Sequence, residues 1–410
     1  MANRNDTANP PTFVAIDISK DRNDVLIQQP SKVRRRMKIT NERIDHDRLI
    51  SILSKLNTDI DVGFEATGNY HRTIAWRLIN AGFNVHLISS VALARTREAL
   101  HNSWDKNDPK DAQVILYMLS LGQVQHYHDP LQNGTNDYQE LSKTHEAISK
   151  NKTEVLHRLQ THYLPLYFPE IDKFRHNSRS QWFFRFLYRF PTPGIVLALE
   201  REAFITEAWD LIGRKVNKRL VLSDIYDTAL SSTGLPIGAD STALVMYRLV
   251  VNPMLQLIQA RDEIEKQCVT VLGEHPDFLR LQQIPGIGPI NALTVLAEAG
   301  DLRRFGHYRQ FLKFCGLDLA THQSGKFRGH SKLSKYGNAR LRRTFWMAGQ
   351  IAIRQRENSF REKFERYTAR DRNNKDLRRK ALTAVAAKMA TISYSVIKHE
   401  TDYRPFFGVR

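Results

Sequence analysis

The sequence predicts an α/β amino-terminal domain, a helical middle and a mainly helical, basic carboxy-terminal domain. Three observations carry this. Short apolar runs alternate with helical stripes over the first 125 residues, apolar residues recur seven apart in polar stretches of the middle, and a long acid-free basic window lies near the end. At 410 residues the chain exceeds one ordinary core. The changes of pattern divide it into a loose tail at 1–11, an α/β domain at 12–125, a helical linker with coiled-coil character at 126–280 and a carboxy-terminal domain at 281–410.

The first element is the strand in TFVAIDISKD. Phe13, Val14, Ala15 and Ile16 suit a strand buried on both faces, and Asp17 beside them is costly to ionise unless a positive charge sits against it. A divalent metal would supply that charge; an Asp capping the following turn is the alternative. Strands at Asp24–Gln28 and Val33–Ile39 make a meander with the first. Ile44, Leu49, Ile52, Leu53 and Leu56 form a helical stripe, and Ile60–Phe64 returns to strand and ends in Glu65. After a turn at Ala66, Thr67 and Gly68, Tyr70–Ala81 reads as helix and Asn84–Ile88 as a fifth strand. The next helix opens at DKNDPKDAQ, with Pro109 in the first helical position, Asp108 as N-cap and Asp111 one turn inside. The predicted order is βββαβαβα.

Capping alone accounts for Asp108 and Asp111, which also complement the helix dipole. With Asp17 and Glu65 they come from three separated elements that a sheet of RNase H type brings to one point. Four carboxylates there resist ionising together unless cations sit between them. Two Mg²⁺ ions ~4 Å apart would serve, and would stabilise the attacking and leaving oxygens of a phosphoryl transfer.

Charge points the same way. Lys plus Arg number 61 against 43 Asp plus Glu, so the net charge of +18 calls for a polyanionic partner, nucleic acid foremost. Aromatic content of 10% excludes disorder as the cause, and no uninterrupted apolar run approaches the ~20 residues of a transmembrane helix. Two cysteines, Cys268 and Cys315, are too few for a zinc cluster or a disulfide framework. The start lacks the apolar stretch of a secretion signal, which leads us to expect a cytoplasmic protein.

In the middle, Leu141, Ile148 and Val155 are spaced by heptads, as are Leu257, Ile264 and Val271, so two long helices can pair within or between chains. The aromatic segment WFFRFLYRFPTP between them reads first as core or interface, and second as a platform for stacking bases. Beyond it, IPGIGPINALTVLAEAG places Gly286 and Gly288 in a turn opening an apolar helix. Its backbone N–H groups suit a phosphate, as in helix-hairpin-helix modules, and the same turn also serves as helix punctuation.

No acidic residue occurs between Asp318 and Glu357, a window holding Lys326, Arg328, Lys332, Lys335, Arg340, Arg342, Arg343, Arg354 and Arg356. Such a run without carboxylates repels itself unless a polyanion lies against it. Gly325, Gly329 and Gly337 keep the loop pliable, and Ser324 is a serine in a basic loop: a turn former, or a nucleophile if a neighbour takes its proton and cations stabilise the phosphoryl charge. The carboxylate and metal centre suits the first task, Arg328 and Lys326 the second.

With these residues in view, the chain resembles the DEDD transposases of bacterial insertion sequences, the family named insertion-sequence one-hundred-and-ten, and more closely its eleven-eleven subgroup. The motifs are AIDISKD, FEATGNY, KNDPKDA, IPGIGPINALTVLAEAGDLRRF and FCGLDLATHQSGKFRGHSKLSKYGNARLRR, running over most of the chain to the closing YRPFF. Asp17, Glu65, Asp108 and Asp111 match the carboxylates of the family's RuvC-like domain, and Ser324 matches the serine of its carboxy-terminal transposase domain. The resemblance implies a site-specific DNA recombinase that excises and inserts its own element. It implies Mg²⁺ on the carboxylates, a phosphoserine link to DNA through Ser324, a structured guide RNA, and a tetramer with shared active sites. Asn107 departs from the Thr of many members, and the segment 166–256 is longer than in the shorter ones. Two other readings stand beside this one: a RuvC-type nuclease that cleaves with water, and a non-catalytic nucleic-acid-binding protein whose carboxylates merely cap.

Overall fold

The computed structural model describes residues 10–101, 108–175, 180–213, 216–320, 323–324, 327–328 and 332–406, with the side chains of residues 101, 108, 109, 323, 324, 327 and 328 left out. The tail through residue 9, Asn107, Gly325, Lys326 and Gly329 therefore lie outside it. The chain divides into two compact units, Met1–Gly134 and Thr135–Arg410.

In the first unit, β1 (Thr12–Asp17), β2 (Arg22–Gln28) and β3 (Arg34–Thr40) form an antiparallel meander. Helix α1 (Arg43–Ser54) leads to β4 (Ile60–Glu65), which pairs in parallel with β1, and α2 (His71–Asn80) leads to β5 (Asn84–Ile88), parallel to β4. Helices α3 (Ser90–His101) and α4 (Asp108–Ser120) follow, then a two-residue β6 (Gln125–His126) antiparallel to β5. The sheet order β3-β2-β1-β4-β5-β6 is that of the expected RNase H type, with β1 and β4 at its centre.

Both faces of that centre are covered, so β1 carries the apolar run Phe13–Ile16, and β4 is buried from Ile60 to Phe64 with the Asp61 carboxylate accepting from Asn84 Nδ2 at 3.1 Å. Val14, Ile16, Val62 and Phe64 join the side chains of α1 and α2 on one face, while Ala15, Leu26 and Ile88 join Ala112, Ile115 and Met118 of α4 on the other. Two elements lie beyond the expected order. Among its described side chains helix α3 buries only Leu93 deeply and so shows no apolar stripe, and β6 is two exposed residues long.

The second unit is helical around two cores. Helix α5 (Asn136–Arg158) continues through a π turn at Leu159–Tyr163 into α6 (Leu164–Tyr167). Then come α7 (Gln181–Arg189), α8 (Pro193–Leu197), α9 (Arg201–Ala208), α10 (Lys218–Leu230) and α11 (Thr242–Leu272). The aromatic segment forms α7, whose Phe183, Phe184, Phe186 and Leu187 are fully buried: it is core.

Helices α5 and α11 do pair within the chain, running antiparallel, but not along the expected seam. Leu141, Ile148, Val155, Leu257 and Ile264 are only half-buried and Val271 is exposed. The buried stripe of α11 runs instead through Leu244, Tyr247, Val251, Met254 and Ile258, one position past Leu257. The cause is that α7 packs on α11 and α13 (described next) on both helices, so the buried face is wider than a two-stranded seam. By length and composition alone α11 could cross a membrane, yet its apolar stripe is spent on the cores of this unit.

The other core gathers α12 (Pro276–Gln282), α13 (Pro289–Ala299), α14 (Tyr308–Phe314), α15 (Ala339–Ala352), α16 (Ser359–Thr368) and α17 (Lys375–Lys398). Between α14 and α15, β7 (Leu319–Ala320) pairs with β10 (Lys332–Leu333). Inside them in sequence, β8 (Gln323–Ser324) pairs with β9 (Phe327–Arg328).

Candidate functional site

Asp17 and Glu65 are the last residues of the two central strands. In the parallel ladder Ile16 faces Phe64, so Asp17 and Glu65, one step on, end side by side. They share the parity of Ala15 and Gly63, which puts both on the face covered by α4. Each is half-buried. A third carboxylate stands in the same row, because Asp24 on β2 is the direct partner of Asp17. It lies 3.8 Å from Lys38 Nζ. Sequence reading passed over Asp24, although its alternation with Val25 and Ile27 assigns it to that face.

Asp111 is one turn into α4 and 3% exposed. Its Oδ1 meets Arg97 Nε at 2.5 Å, so a guanidinium from α3, the helix absent from the expected order, neutralises it. Asp108 opens α4, on the turn preceding Asp111. Among the described residues, no three His, Cys, Asp or Glu side chains converge closely enough to hold a metal ion. The donor set nevertheless fits a hard divalent cation in kind: all are carboxylate oxygens, Asp17 and Glu65 are adjacent, and Asp111 already faces a cation.

In the second unit Ser324 lies on β8, directly opposite Phe327 in a two-residue antiparallel ladder, with Gln323 opposite Arg328. The described residues of this segment pair as a hairpin, while Gly325 and Gly329, on which the expected pliability rests, lie outside them. Its outer ladder pairs Ala320 with Lys332, which is exposed. The base is pinned by the Ser334 N–H, which donates to the Asp318 carbonyl at 2.9 Å, and by Gly337. With φ of +134° and a Cβ that would stand 2.5 Å from the Phe314 oxygen, this position admits glycine only. Lys335 beside it is exposed, with φ of +58°.

The turn between α12 and α13 uses its two glycines differently. Gly286 has φ of +91°, and a Cβ there would meet the Ala348 oxygen at 2.2 Å, so it serves the close approach to α15. Gly288 is the N-cap of α13 and has open space beside it. It lines a cleft of about 1220 Å³ bounded by α5, α11, α13 and α15. Arg340 is held there. It pairs with Glu146 at 2.6 Å and with Glu298, and donates to Ser142 Oγ at 2.9 Å. Burial pushes the Glu146 carboxyl up, but bonds from Lys150 and Arg340 outweigh it and hold it below its ordinary value. Arg342 donates to the Lys335 carbonyl at 3.0 Å, while Arg343 is 66% exposed and lies 3.8 Å from Glu146. Of these three arginines, only Arg343 keeps its charge largely in solvent.

Comparison with known proteins adds two family matches. Residues 14–169 match a DEDD family described as a transposase, and residues 279–365 match the Transposase IS116/IS110/IS902 family. The chain is 30% identical over 159 residues to the transposase for insertion sequence element IS1111A of Coxiella burnetii, covering 38% of this chain and 43% of that one. It is 33% identical over 187 residues to a probable family 20 transposase of Pseudomonas aeruginosa, covering 44% and 52%. A mini-circle putative transposase for IS117 of Streptomyces coelicolor aligns over 77% of this chain and 78% of its own length at 24% identity. The first two alignments thus span about half of those relatives. The Thermus thermophilus RuvC structure solved with a Holliday junction overlaps 29% of this chain at 9% identity and a TM-score of 0.22.

Proposed function

We propose, for a chain that belongs to the IS110 family of DEDD transposases, that it is a DNA transposase whose Ser324 cleaves and rejoins strands with help from the carboxylates of the RNase H-type sheet. The observation that carries this reading is the side-by-side ending of β1 in Asp17 and β4 in Glu65, on the face covered by α4 with its acidic first turn. A fold that needs these residues only for caps has no reason to line them up there.

In this reading the Ser324 hydroxyl attacks a DNA phosphorus. The new Oγ–P ester forms as the P–O bond to the departing strand breaks, the hydroxyl proton passes to a carboxylate, and the departing oxygen leaves as a hydroxyl after protonation. Rejoining is the reverse with a different strand end, so no outside energy source is required. Lys326 and Arg328 neutralise the phosphoryl oxygens. Asp17, Glu65, Asp108 and Asp111 hold Mg²⁺, which when bound supplies charge stabilisation at the reacting oxygens. Residues 12–125 act as the nuclease part, 126–280 as a helical link and 281–410 as the transposase part. Gly288 and the exposed Lys332, Lys335 and Arg343 contact the nucleic acid backbone, with Gly286, Arg340 and Arg342 shaping that surface. A structured guide RNA selects the sites, and a tetramer brings carboxylates and serine together on DNA.

The test is a denaturing gel that scores protein attached covalently to labelled element-junction DNA, with Mg²⁺ and the co-expressed element RNA. Wild type should form the adduct and Ser324→Ala should not. Asp17→Asn and Glu65→Gln should lose it by on the order of 10²-fold or more while melting at the wild-type temperature. Cleavage without adduct, equal in wild type and Ser324→Ala, sinks the serine step and leaves a nuclease that uses water.

A further inference from the structure

A second cleft of the carboxy-terminal core, about 590 Å³ between α15, α16 and α17, has a different character from the first. Arg354, Arg361, Arg372, Lys375, Arg378 and Arg379 line it against a single carboxylate, Glu365. Two of these cations have partners: Arg361 bonds Glu365 at 2.8 Å, and Arg379 lies 3.5 Å from Asp376. Arg378 is spread over the Phe364 ring at 5.4 Å and donates to the Arg372 carbonyl. Among the described residues, no carboxylate pairs with Arg354, Arg372 or Lys375, all three exposed.

Such a group repels itself, and the two ion pairs relieve that only at Arg361 and Arg379. The elements carrying it are well anchored, by Phe360 and Phe364 under α16 and by Leu377, Ala381 and Leu382 under α17. Asn374 satisfies the Asp376 and Leu377 N–H groups at the start of α17, so the cleft depends on side-chain cations and not on a helix end. One wall is Trp346, which also lines a smaller hollow with Leu317 and Leu333 at the base of the Ser324 hairpin. Cations on rigid helices and an aromatic wall shared with the hollow at the hairpin base suit a chain of phosphates with bases beside it.

We propose that this cleft grips the phosphodiester backbone of a nucleic-acid strand and leads it past Trp346 toward the base of the hairpin. The inference rests on the reading above only in taking the partner to be nucleic acid. The phosphodiester belongs to DNA or to RNA, and binding assays with each separate the two.

The experiment measures binding of the full-length protein to duplex DNA, single-stranded DNA and single-stranded RNA across a salt series. It compares wild type with Arg372→Ala/Lys375→Ala and with Arg201→Ala/Arg219→Ala. The second variant loses the same charge from cations that are ion-paired at the surface, to Asp227 and Glu202. The cleft variant should weaken binding, and its slope of log affinity against log salt should fall by roughly 1.8 for duplex or 1.4 for single strands. The control should keep the wild-type slope. The polymer losing most identifies the strand held, and equal losses mean a backbone grip indifferent to the sugar. A cleft variant with wild-type affinity and slope, or a control that falls as far, overturns the proposal while leaving nucleic-acid binding intact. A wild type that binds none of the three overturns the function as well.

Discussion

Two clefts of the helical unit are both rich in arginine and lysine, and they treat those charges in opposite ways. In the first, Arg340 is shared among Glu146, Glu298 and Ser142, and Asn338 Nδ2 donates to Glu298 at 2.5 Å. In the second, Arg354, Arg372 and Lys375 stand beside other cations. Their number therefore says little about binding, since a guanidinium held by two carboxylates is part of the frame. What marks a surface for a polyanion is charge that the fold leaves uncompensated.

This contrast can be tested by removing cations one at a time, and stability should register only those that are held. The largest effect belongs to Arg97, whose loss strands Asp111 in a buried position. Arg97→Ala should cost about 3–5 kcal/mol in chemical denaturation, and added divalent cation should recover part of the loss if the carboxylates bind one. Arg340→Ala comes next, at about 2–3 kcal/mol by the same measurement, because it removes the shared partner of two carboxylates and leaves Glu146 to Lys150 and Glu298 to Asn338.

Asp277 is an intermediate case, held by Arg303 at 2.7 and 3.0 Å and by Arg280 at 2.9 Å. Burial pushes its carboxyl up, but those bonds outweigh burial and bring it below the ordinary 3.8. A depressed carboxyl contributes stability above its unfolded pKa and loses it as pH falls through the folded one. Asp277→Asn should thus cost roughly 1–2 kcal/mol at neutral pH, and the gap from wild type should close in denaturation curves taken below about pH 4. Smallest of all, Arg372→Ala should stay within about 0.5 kcal/mol of wild type. A large loss there would show that the cation is held after all and would remove the contrast.

The sheet was legible because its strands are short apolar runs between clear turn signals, and because Asp17 and Glu65 interrupt two of them at matching ends. Helix α3 was not, since a helix burying one leucine leaves no periodic trace, and Arg97 went unseen with it. The acid-free window from Asp318 to Glu357 made Arg340 look free, whereas its partners Glu146 and Glu298 lie on α5 and α13, far off in sequence. Conversely, the cations from Arg361 to Arg379 are interspersed with Glu362, Glu365, Asp371 and Asp376 and so read as an ordinary solvated surface. Only the meeting of α16 with α17 turns several of them toward one cleft. The coiled-coil seam failed for a related reason: a heptad records two helices, and here a third and a fourth share the contact.

The pair α5 and α11 belongs to both cores of its unit. Leu244, Tyr247, Val251, Met254 and Ile258 serve one core, Cys268 and Leu272 the other, with Tyr138 and Leu141 at one end of α5 and Val155 and Leu156 at the opposite end. Neither core can come apart without unwinding helices the other needs, so two hydrophobic centres behave as one cooperative block. Amide exchange along α11 should accordingly report a single opening event on both sides of Pro253, and force or heat applied at one centre is felt at the other.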